Sequence, residues 1–209
     1  MLLKQIIALG LFAATAPAFA SSQFTLDFET NWTYGTDIND YYNGGTASDG
    51  TSGTNYGVSF SGVSGLSNDA LGPYYSNAPS PLGVAYAHTF AADDKSFLNV
   101  ASGVDHVLSF FYASTADISG AVKAYSGLNG TGTLLGTFDL SSTSGYDAWT
   151  AAKFSFSGTA KSFDLTGSAN VAAFDNISAV PFPAASLLFG AGLVMVGAIS
   201  RRVNAKAAI

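Results

Sequence analysis

The 209-residue chain contains no cysteine and carries 14 acidic residues against eight lysines and arginines, so its formal net charge is −6. All the acids lie between Asp27 and Asp175, a stretch with four lysines and no arginine, which therefore carries about −10. The composition excludes thiol chemistry, Cys-ligated zinc and disulfides. The charge argues against nucleic-acid partners and suits a secreted surface that meets divalent cations or neutral sugars, although solubility explains it equally well.

The first twenty residues have the parts of a secretory signal peptide. Lys4 precedes an apolar run over 6–14, and the stretch closes with Ala18-Phe19-Ala20. This A-x-A ending is the site that signal peptidase cleaves, whereas a buried N-terminal helix, the alternative, does not need it. We therefore expect residues 1–20 to be removed on export and residues 21–179 to form one outer domain.

The outer domain shows short alternations of apolar and polar residues, separated by Gly, Ser, Asn and Asp, and no convincing amphipathic helix. Phe24, Leu26 and Phe28, for example, share one face of an extended segment. The pattern predicts an all-β fold of two packed antiparallel sheets. The predicted strands are 24–28, 57–60, 84–90, 108–112, 121–125, 134–140, 152–156, 161–165 and 171–179.

Two connections between these strands are distinctive. Asn129-Gly130 supplies the positive φ angles of a tight turn and predicts a hairpin between Val122 and Phe138. The stretch 43–57, rich in Gly, Thr, Ser and Asn, predicts a long exposed loop.

Residues 181–199 contain no charge and one hydroxyl, Ser186, and are followed by Arg201, Arg202 and Lys206. This pattern predicts a C-terminal hydrophobic, transmembrane helix over the 180–209 segment, with the cations in the cytoplasm and the domain outside. A glycolipid-anchor signal is the competing interpretation, but such signals end with their hydrophobic tail.

The same segment resembles the sorting signal of PEP-CTERM proteins of Gram-negative bacteria, in its VPLPA-CTERM-type variant, although the Pro-Glu-Pro triplet is absent. The resemblance implies an exosortase, a membrane-embedded transpeptidase, as a partner. It also implies transient anchoring in the inner membrane, followed by transfer to the envelope surface or extracellular matrix. The residues that carry the resemblance are Val180, Pro181, Phe182, Pro183, Ala184, Arg201 and Arg202.

Five stretches resemble the jelly-roll-like β-sandwich domains of many PEP-CTERM proteins: LDFE, DYYNGGTASDGTSGTNYGVSF, VKAYSGLNGTGTLLGTF, FSFSGTAKSFDLTG and VAAFDNIS. LDFE and FDNI are also similar to the edges of calcium-stabilised sandwiches, such as carbohydrate-binding modules and MAM-type domains. That resemblance implies a Ca²⁺ site in which Asp27 or Glu29 meets Asp175, with Asn176. Carboxylate and amide oxygens are ligands that Ca²⁺ prefers; solvated acids on an outward face are the alternative.

Catalytic motifs are absent from the sequence: there is no Gly-x-Ser-x-Gly, His-Glu-x-x-His or phosphate-binding loop. His88 shares an alternating apolar face with Tyr86 and Phe90, which favours a hydrogen-bonded core or edge histidine over a catalytic base. His106 is interpreted as a turn residue. A glycosidase needs only two carboxylates facing one cleft, and no spacing singles out such a pair.

Aromatic side chains in predicted loops suggest sugar binding, because flat rings stack on pyranose faces. We therefore expect a non-enzymatic surface or matrix protein whose sandwich binds extracellular polysaccharide. The alternatives are a polysaccharide-acting enzyme, glycosidase or lyase, and a self-associating structural coat protein. The candidate ligand-binding residues are Trp32, Tyr34, Tyr41, Tyr42, Tyr74, Tyr75 and Trp149.

Overall fold

The computed structural model describes residues 23–67 and 74–179, which form an all-β domain with one short 3₁₀ turn. The predicted signal peptide and sorting segment lie outside the described residues. Within the described ranges no helix is long and apolar enough to cross a membrane. The nine strands are β1 (Phe24–Leu26), β2 (Val58–Ser61), β3 (Val63–Ser67), β4 (Gly83–Ala87), β5 (Phe97–Ser114), β6 (Ile118–Tyr125), β7 (Leu134–Leu140), β8 (Thr150–Asp164) and β9 (Ala172–Ala179).

All strand pairs are antiparallel, in the order β3-β4-β9-β5-β8-β6-β7, with β1 on β9 and β2 on β5. The long strands β5 and β8 belong to both layers. The first part of β5 pairs with β2 and its last part with β9, while the end of β8 pairs with β6. Register shifts between Asn99 and Val104, and between Asp105 and Val107, interrupt the β5–β8 ladder where it passes from one layer to the other.

Phenylalanine rings fill the space between the layers. Phe138 of β7 lies 5.8 Å, centroid to centroid, from Phe110 of β5 and 5.5 Å from Phe154 of β8. Because β7 pairs with β6, these contacts are made across the core and not along the sheet. The all-β, antiparallel two-sheet sandwich predicted from the sequence is confirmed.

Several predicted strand boundaries are wrong. The predicted strand 108–112 is only the end of β5, the predicted strands 152–156 and 161–165 are one strand, β8, and β3 was missed. Gly103, His106 and Gly158 interrupt the apolar alternation, and each has a positive φ (88°, 61° and 75°). Local irregularities of this kind bend a strand without ending its ladder, so the broken pattern hides a continuous strand.

The predicted hairpin is confirmed. Val122 pairs with Phe138 between β6 and β7, and Asn129 and Gly130 have φ angles of 53° and 69°. The stretch 43–57 contains turns and no strand and is largely exposed, as predicted.

Candidate functional site

The outward face of β3, β4 and β9 carries a cavity of about 260 Å³, which we call the tyrosine cavity. Register places Tyr86 of β4 between Ser64 of β3 and Ala173 of β9. Because side chains alternate along a strand, Val84 and Tyr86 share this outward face. The residues that line the tyrosine cavity are Tyr34, Leu66, Tyr74, Tyr75, Tyr86, Tyr146, Asn170, Val171, Ala172 and Ala173.

Two loops that cover this face are joined by hydrogen bonds. The Ser76 N–H donates to the Tyr146 carbonyl at 3.0 Å, and the Trp149 indole N–H donates to the Ser76 carbonyl at 3.0 Å. The Asn77 side-chain amide donates to the Asp147 carbonyl at 3.1 Å. Segments 74–77 and 146–149 therefore hold each other in place over the sheet.

The rim of the cavity presents aromatic surface to solvent. Tyr34 is 55% exposed and Tyr74 is 44% exposed, and their rings stack with centroids 5.6 Å apart and an interplanar angle of 23°. The Tyr146 hydroxyl donates to the Val171 carbonyl at 2.8 Å, which fixes its ring against β9. Burial raises the pKa of Tyr86 above its ordinary value, a hydrogen bond with Ser64 opposes this, and Tyr34, Asp37 and Tyr74 add to it.

A second recess of about 300 Å³ adjoins the cavity and is lined by Tyr74, Tyr75, Ser76, Tyr146 and Asp147. Among the described residues that line the cavity and the recess, Asp147 is the only charged side chain. The combined site is thus an apolar, ring-lined surface with hydroxyl, amide and carboxylate groups at its edges.

The structure brings Tyr34, Tyr74 and Tyr75 of the predicted set together in this site, but Tyr75 is 3% exposed and packs with Val84 and Ala173, so packing does require it. Trp149 lies behind it, with its ring 6.1 Å from that of Tyr75 in an edge-to-face arrangement. Tyr86 and Tyr146 also line the cavity and were not predicted. The alternation of Val84, Tyr86 and His88 contained a signal for Tyr86, but the sequence does not say which face of a strand is outward.

For Trp32 and Tyr42, the expectation that packing does not require these loop aromatics is wrong. Trp32 is 1% exposed. Its indole packs directly on Gly65, where a Cβ would lie only 2.2 Å from the ring. Its N–H donates to the Phe28 carbonyl at 2.9 Å. Tyr42 is 4% exposed, and its burial raises its pKa above the ordinary value. Both rings belong to the core, since Trp32 lies against the glycines of β3 and β4 and Tyr42 lies against Phe28 and Phe60.

Tyr41 is partly buried, and its ring centroid lies 4.9 Å from that of Trp32. It therefore packs on the core and takes no part in the tyrosine cavity.

The predicted calcium ligands lie around the segment that leads into β4. Asp175 is fully buried, and its carboxylate accepts hydrogen bonds from the Ser80 and Asn176 N–H groups, both at 2.7 Å. Glu29 Oε1 accepts from the Leu82 and Gly83 N–H groups at 2.7 and 3.2 Å. Burial, with a further contribution from the Glu29 charge, raises the pKa of Asp175 to about 6.

Glu29 and Asp175 thus bind different amides of the same 80–83 segment, and the Glu29 charge is close enough to influence Asp175. Asp27 accepts a hydrogen bond from the Glu29 N–H at 3.3 Å. Asn176 Oδ1 accepts from the Ser80 hydroxyl at 3.1 Å. As arranged, these oxygens bind protein donors and do not form a cage for an ion. Across residues 23–67 and 74–179, no three His, Asp or Glu side chains converge on a possible metal site. Calcium binding stays a prediction, which melting with and without chelator tests.

His88 is a hydrogen-bonded edge histidine, as predicted. Its Nε2 lies 2.9 Å from Asp37 Oδ1, which also accepts from the Ser64 hydroxyl at 2.7 Å. Because serine and histidine both bond the same carboxylate oxygen, the group does not have the serine–histidine geometry of a nucleophilic triad. His106 lies inside β5 at a register shift, and not at a turn before the strand.

No protein-family model and no curated protein matches this sequence. Solved structures similar to the chain include a carbohydrate-binding module (CBM6cm-2) from Cellvibrio mixtus lichenase 5A in complex with cellotriose. The identity is 13%, the TM-score is 0.38, and the match covers 59% of this chain and 90% of the module. CBM35 from Paenibacillus barcinonensis matches with 17% identity and a TM-score of 0.37, over 60% of this chain and 94% of that one.

The K3 adhesin domain of Lys-gingipain from Porphyromonas gingivalis is similar at 11% identity and a TM-score of 0.34. The match covers 57% of this chain and 91% of that domain. Scores this low support no inference about what the chain binds.

Proposed function

We propose that the sandwich is a non-enzymatic binding domain for neutral polysaccharide and that the tyrosine cavity is its binding site. The observation that carries this proposal is the convergence of five tyrosines from four segments on one outward cavity, with the stacked Tyr34–Tyr74 pair at its rim. Tyrosine rings offer flat apolar faces to the C–H faces of a sugar. The hydroxyls of the half-exposed Tyr34 and Tyr74, with the Asp147 carboxylate, offer partners for sugar hydroxyls.

The charge of the site favours a neutral ligand over an anionic one. No lysine, arginine or histidine is present among the described residues that line the cavity and recess. A uronate or sulfated polymer would therefore meet Asp147 and a strongly acidic domain without a compensating cation.

The test is affinity electrophoresis of the full chain through gels that contain β-glucan, xylan, galactomannan, alginate or polygalacturonate. We expect at least one neutral polymer to retard the protein and the two anionic polymers not to do so. Tyr74→Ala and Tyr34→Ala each remove a half-exposed ring and are expected to weaken binding on the order of tenfold.

Tyr56→Ala is the matched control, because Tyr56 is 37% exposed and does not line the cavity. It should bind as the wild type does. Absence of retardation by every neutral polymer, or equal binding by Tyr74→Ala and the wild type, would contradict the proposal.

We also propose that the domain binds sugar without cleaving it. Glycosidases place two carboxyl groups on opposite sides of the scissile bond. The tyrosine cavity and its recess have Asp147 on their lining, while the Asp175 carboxylate accepts two backbone N–H groups under the 80–83 segment. Release of reducing ends from a polymer that the protein retains would contradict this proposal and favour the glycosidase alternative.

For localisation, we propose export by signal peptidase and transfer to the envelope surface or matrix through an exosortase-type enzyme. The support is the sequence alone: the Ala18-Phe19-Ala20 site and the Val180–Ala184 and Arg201-Arg202 motifs. In a host that encodes an exosortase, the mature chain is expected to be shorter than residues 21–209. Substitution of Pro181 and Pro183 by alanine should leave it unprocessed in the membrane fraction. Unchanged processing would contradict the role of the motif.

A further inference from the structure

An aromatic row leads from the tyrosine cavity past the end of β4 into the segment that follows this strand, so the predicted strand 84–90 ends earlier than expected, at Ala87. Tyr86 lines the cavity, and His88 and Phe90 follow it at alternate positions. The ring centroids of Tyr86 and His88 are 6.0 Å apart, and those of His88 and Phe90 are 4.6 Å apart with an interplanar angle of 30°. The row therefore extends well beyond the cavity, and Phe90 at its end is 83% exposed.

The exposed ring of Phe90 is held in a well-defined turn. The Phe90 and Ala91 N–H groups donate to Asp94 Oδ2 at 2.8 and 2.7 Å. The His88 ring that Phe90 contacts is itself held by one hydrogen bond, between His88 Nε2 and Asp37 Oδ1 at 2.9 Å. An apolar ring displayed by a turn of this kind loses little conformational freedom when a ligand covers it.

The cavity wall and the turn are also connected directly. Asn170 lines the cavity, and its side-chain amide donates to the carbonyl of Thr89, between His88 and Phe90, at 2.9 Å. Its backbone N–H donates to the Ala87 carbonyl at 2.9 Å. The cavity and Phe90 are thus parts of one surface with a fixed spacing.

We propose that the sugar site continues from the tyrosine cavity along this row to Phe90, so that the protein binds several consecutive sugar units and prefers polymer to mono- or disaccharide. This inference rests on the proposed function. Each ring step in the row is similar in size to one sugar ring, so a chain anchored in the cavity reaches Phe90 only when it continues by further units. Phe90 then sets the preference for chain length, while the cavity sets recognition of the sugar.

The experiment is calorimetric titration of the full chain with a ladder of neutral oligosaccharides, from monosaccharide to hexasaccharide, of the polymer retained in affinity electrophoresis. For the wild type, affinity is expected to rise with each unit until the row is occupied. For Phe90→Ala, affinity for the hexasaccharide is expected to fall on the order of tenfold, while affinity for the shortest ligand that binds is unchanged.

Leu128→Ala is the control, since Leu128 is an exposed apolar residue of the β6–β7 hairpin, at 41% exposure. It should leave the length dependence intact. Wild-type affinity that does not rise beyond the disaccharide, or a Phe90→Ala profile that matches the wild type, would overturn the extension and leave the cavity proposal standing. Absence of binding to the whole ladder and to the parent polymers would overturn both.

Discussion

At the scale of single residues, the buried carboxylate of Asp175 shows that an acid in an apparently exposed pattern has a structural role. Its oxygens accept hydrogen bonds from the Ser80 and Asn176 N–H groups. Glu29 accepts from the N–H groups of Leu82 and Gly83, which follow Ser80 in the same segment. Two acids from the first and last parts of the domain therefore fix the entry of the chain into β4. The hydrogen bonds favour the charged form of Asp175, but burial outweighs them and raises its pKa.

The raised pKa predicts a pH dependence of stability. The pKa of Asp175 is about 6 in the folded protein against an ordinary value of 3.8, so the folded state binds the proton more tightly. The contribution of Asp175 is therefore fully present below pH 3.8 and is lost as the pH rises to about 6. Its size is on the order of 3 kcal/mol.

Glu29→Gln isolates this effect, because Gln Oε1 can still accept the Leu82 and Gly83 N–H groups while the charge beside Asp175 is removed. Relative to the wild type, we expect the variant to gain stability, that is, a larger free energy of unfolding, as the pH rises from about 4 to about 7. Urea denaturation at several pH values measures it. A difference between variant and wild type that does not change with pH would contradict the coupling.

Gly65 provides a second test at this scale. A Cβ at Gly65 would lie 2.2 Å from the Trp32 ring, so Gly65→Ala is expected to cost about 1 to 3 kcal/mol by overpacking. In Gly145→Ala the new Cβ meets the end of the flexible Asp147 side chain at 2.9 Å, and a smaller loss is expected. Equal losses for the two variants would argue against the packing of Trp32 described above.

At the scale of elements, turns and irregularities decide where strands end. The sequence predicted a hairpin turn at Asn129-Gly130, because a tight turn needs positive φ angles and Asn and Gly are among the few residues that accept them. The continuity of β5 and β8 through their irregular positions could not be predicted, because a glycine such as Gly103 or Gly158 also suits a turn. Only the pairing with the partner strand distinguishes the two. The sequence therefore predicts hairpins well and long bulged strands poorly.

Gly130 of the β6–β7 hairpin and Gly158 of β8, both with positive φ, make a matched pair. Gly130→Ala places a Cβ 2.8 Å from the Phe97 ring at a φ of 69°, whereas Gly158→Ala has open space at a φ of 75°. We expect Gly158→Ala to cost about 1 kcal/mol, from backbone strain alone. Gly130→Ala should cost about 1 kcal/mol more, because Phe97 must move. Thermal denaturation measures the loss of stability in each variant. Equal losses would show that the Phe97 ring moves aside at no energetic cost.

At the scale of the whole molecule, the site depends on segments far apart in the sequence. Tyr34, Tyr74, Tyr86 and Tyr146 come from three loops and one strand, and the order of β3, β4 and β9 brings them to one face. The aromatic composition suggested a sugar-binding surface, but it did not separate these tyrosines from Trp32, which fills the core.

Because the domain is strongly acidic, the dependence of its binding affinity on salt concentration distinguishes a neutral ligand from a charged one. Binding of a neutral polymer releases no condensed counterions, so its affinity is expected to change less than about twofold between low salt and roughly 0.5 M NaCl. Affinity electrophoresis at several salt concentrations measures it. A steep loss of affinity with salt would indicate an ionic ligand and argue against the neutral-sugar proposal.

The sequence by itself determined the fold class, the β6–β7 hairpin and the acidic character of the domain, because alternation, turn residues and charge are local properties of the chain. Only the tertiary structure decided which face of β4 is outward, and so placed Tyr86 in the wall of the cavity. It likewise decided that Phe90, after the end of β4, is exposed while Trp32 lies in the core. It also decided that Asp175 is buried against Ser80. A period-two pattern fixes which residues share a face, but the packing of the second layer chooses which face meets solvent.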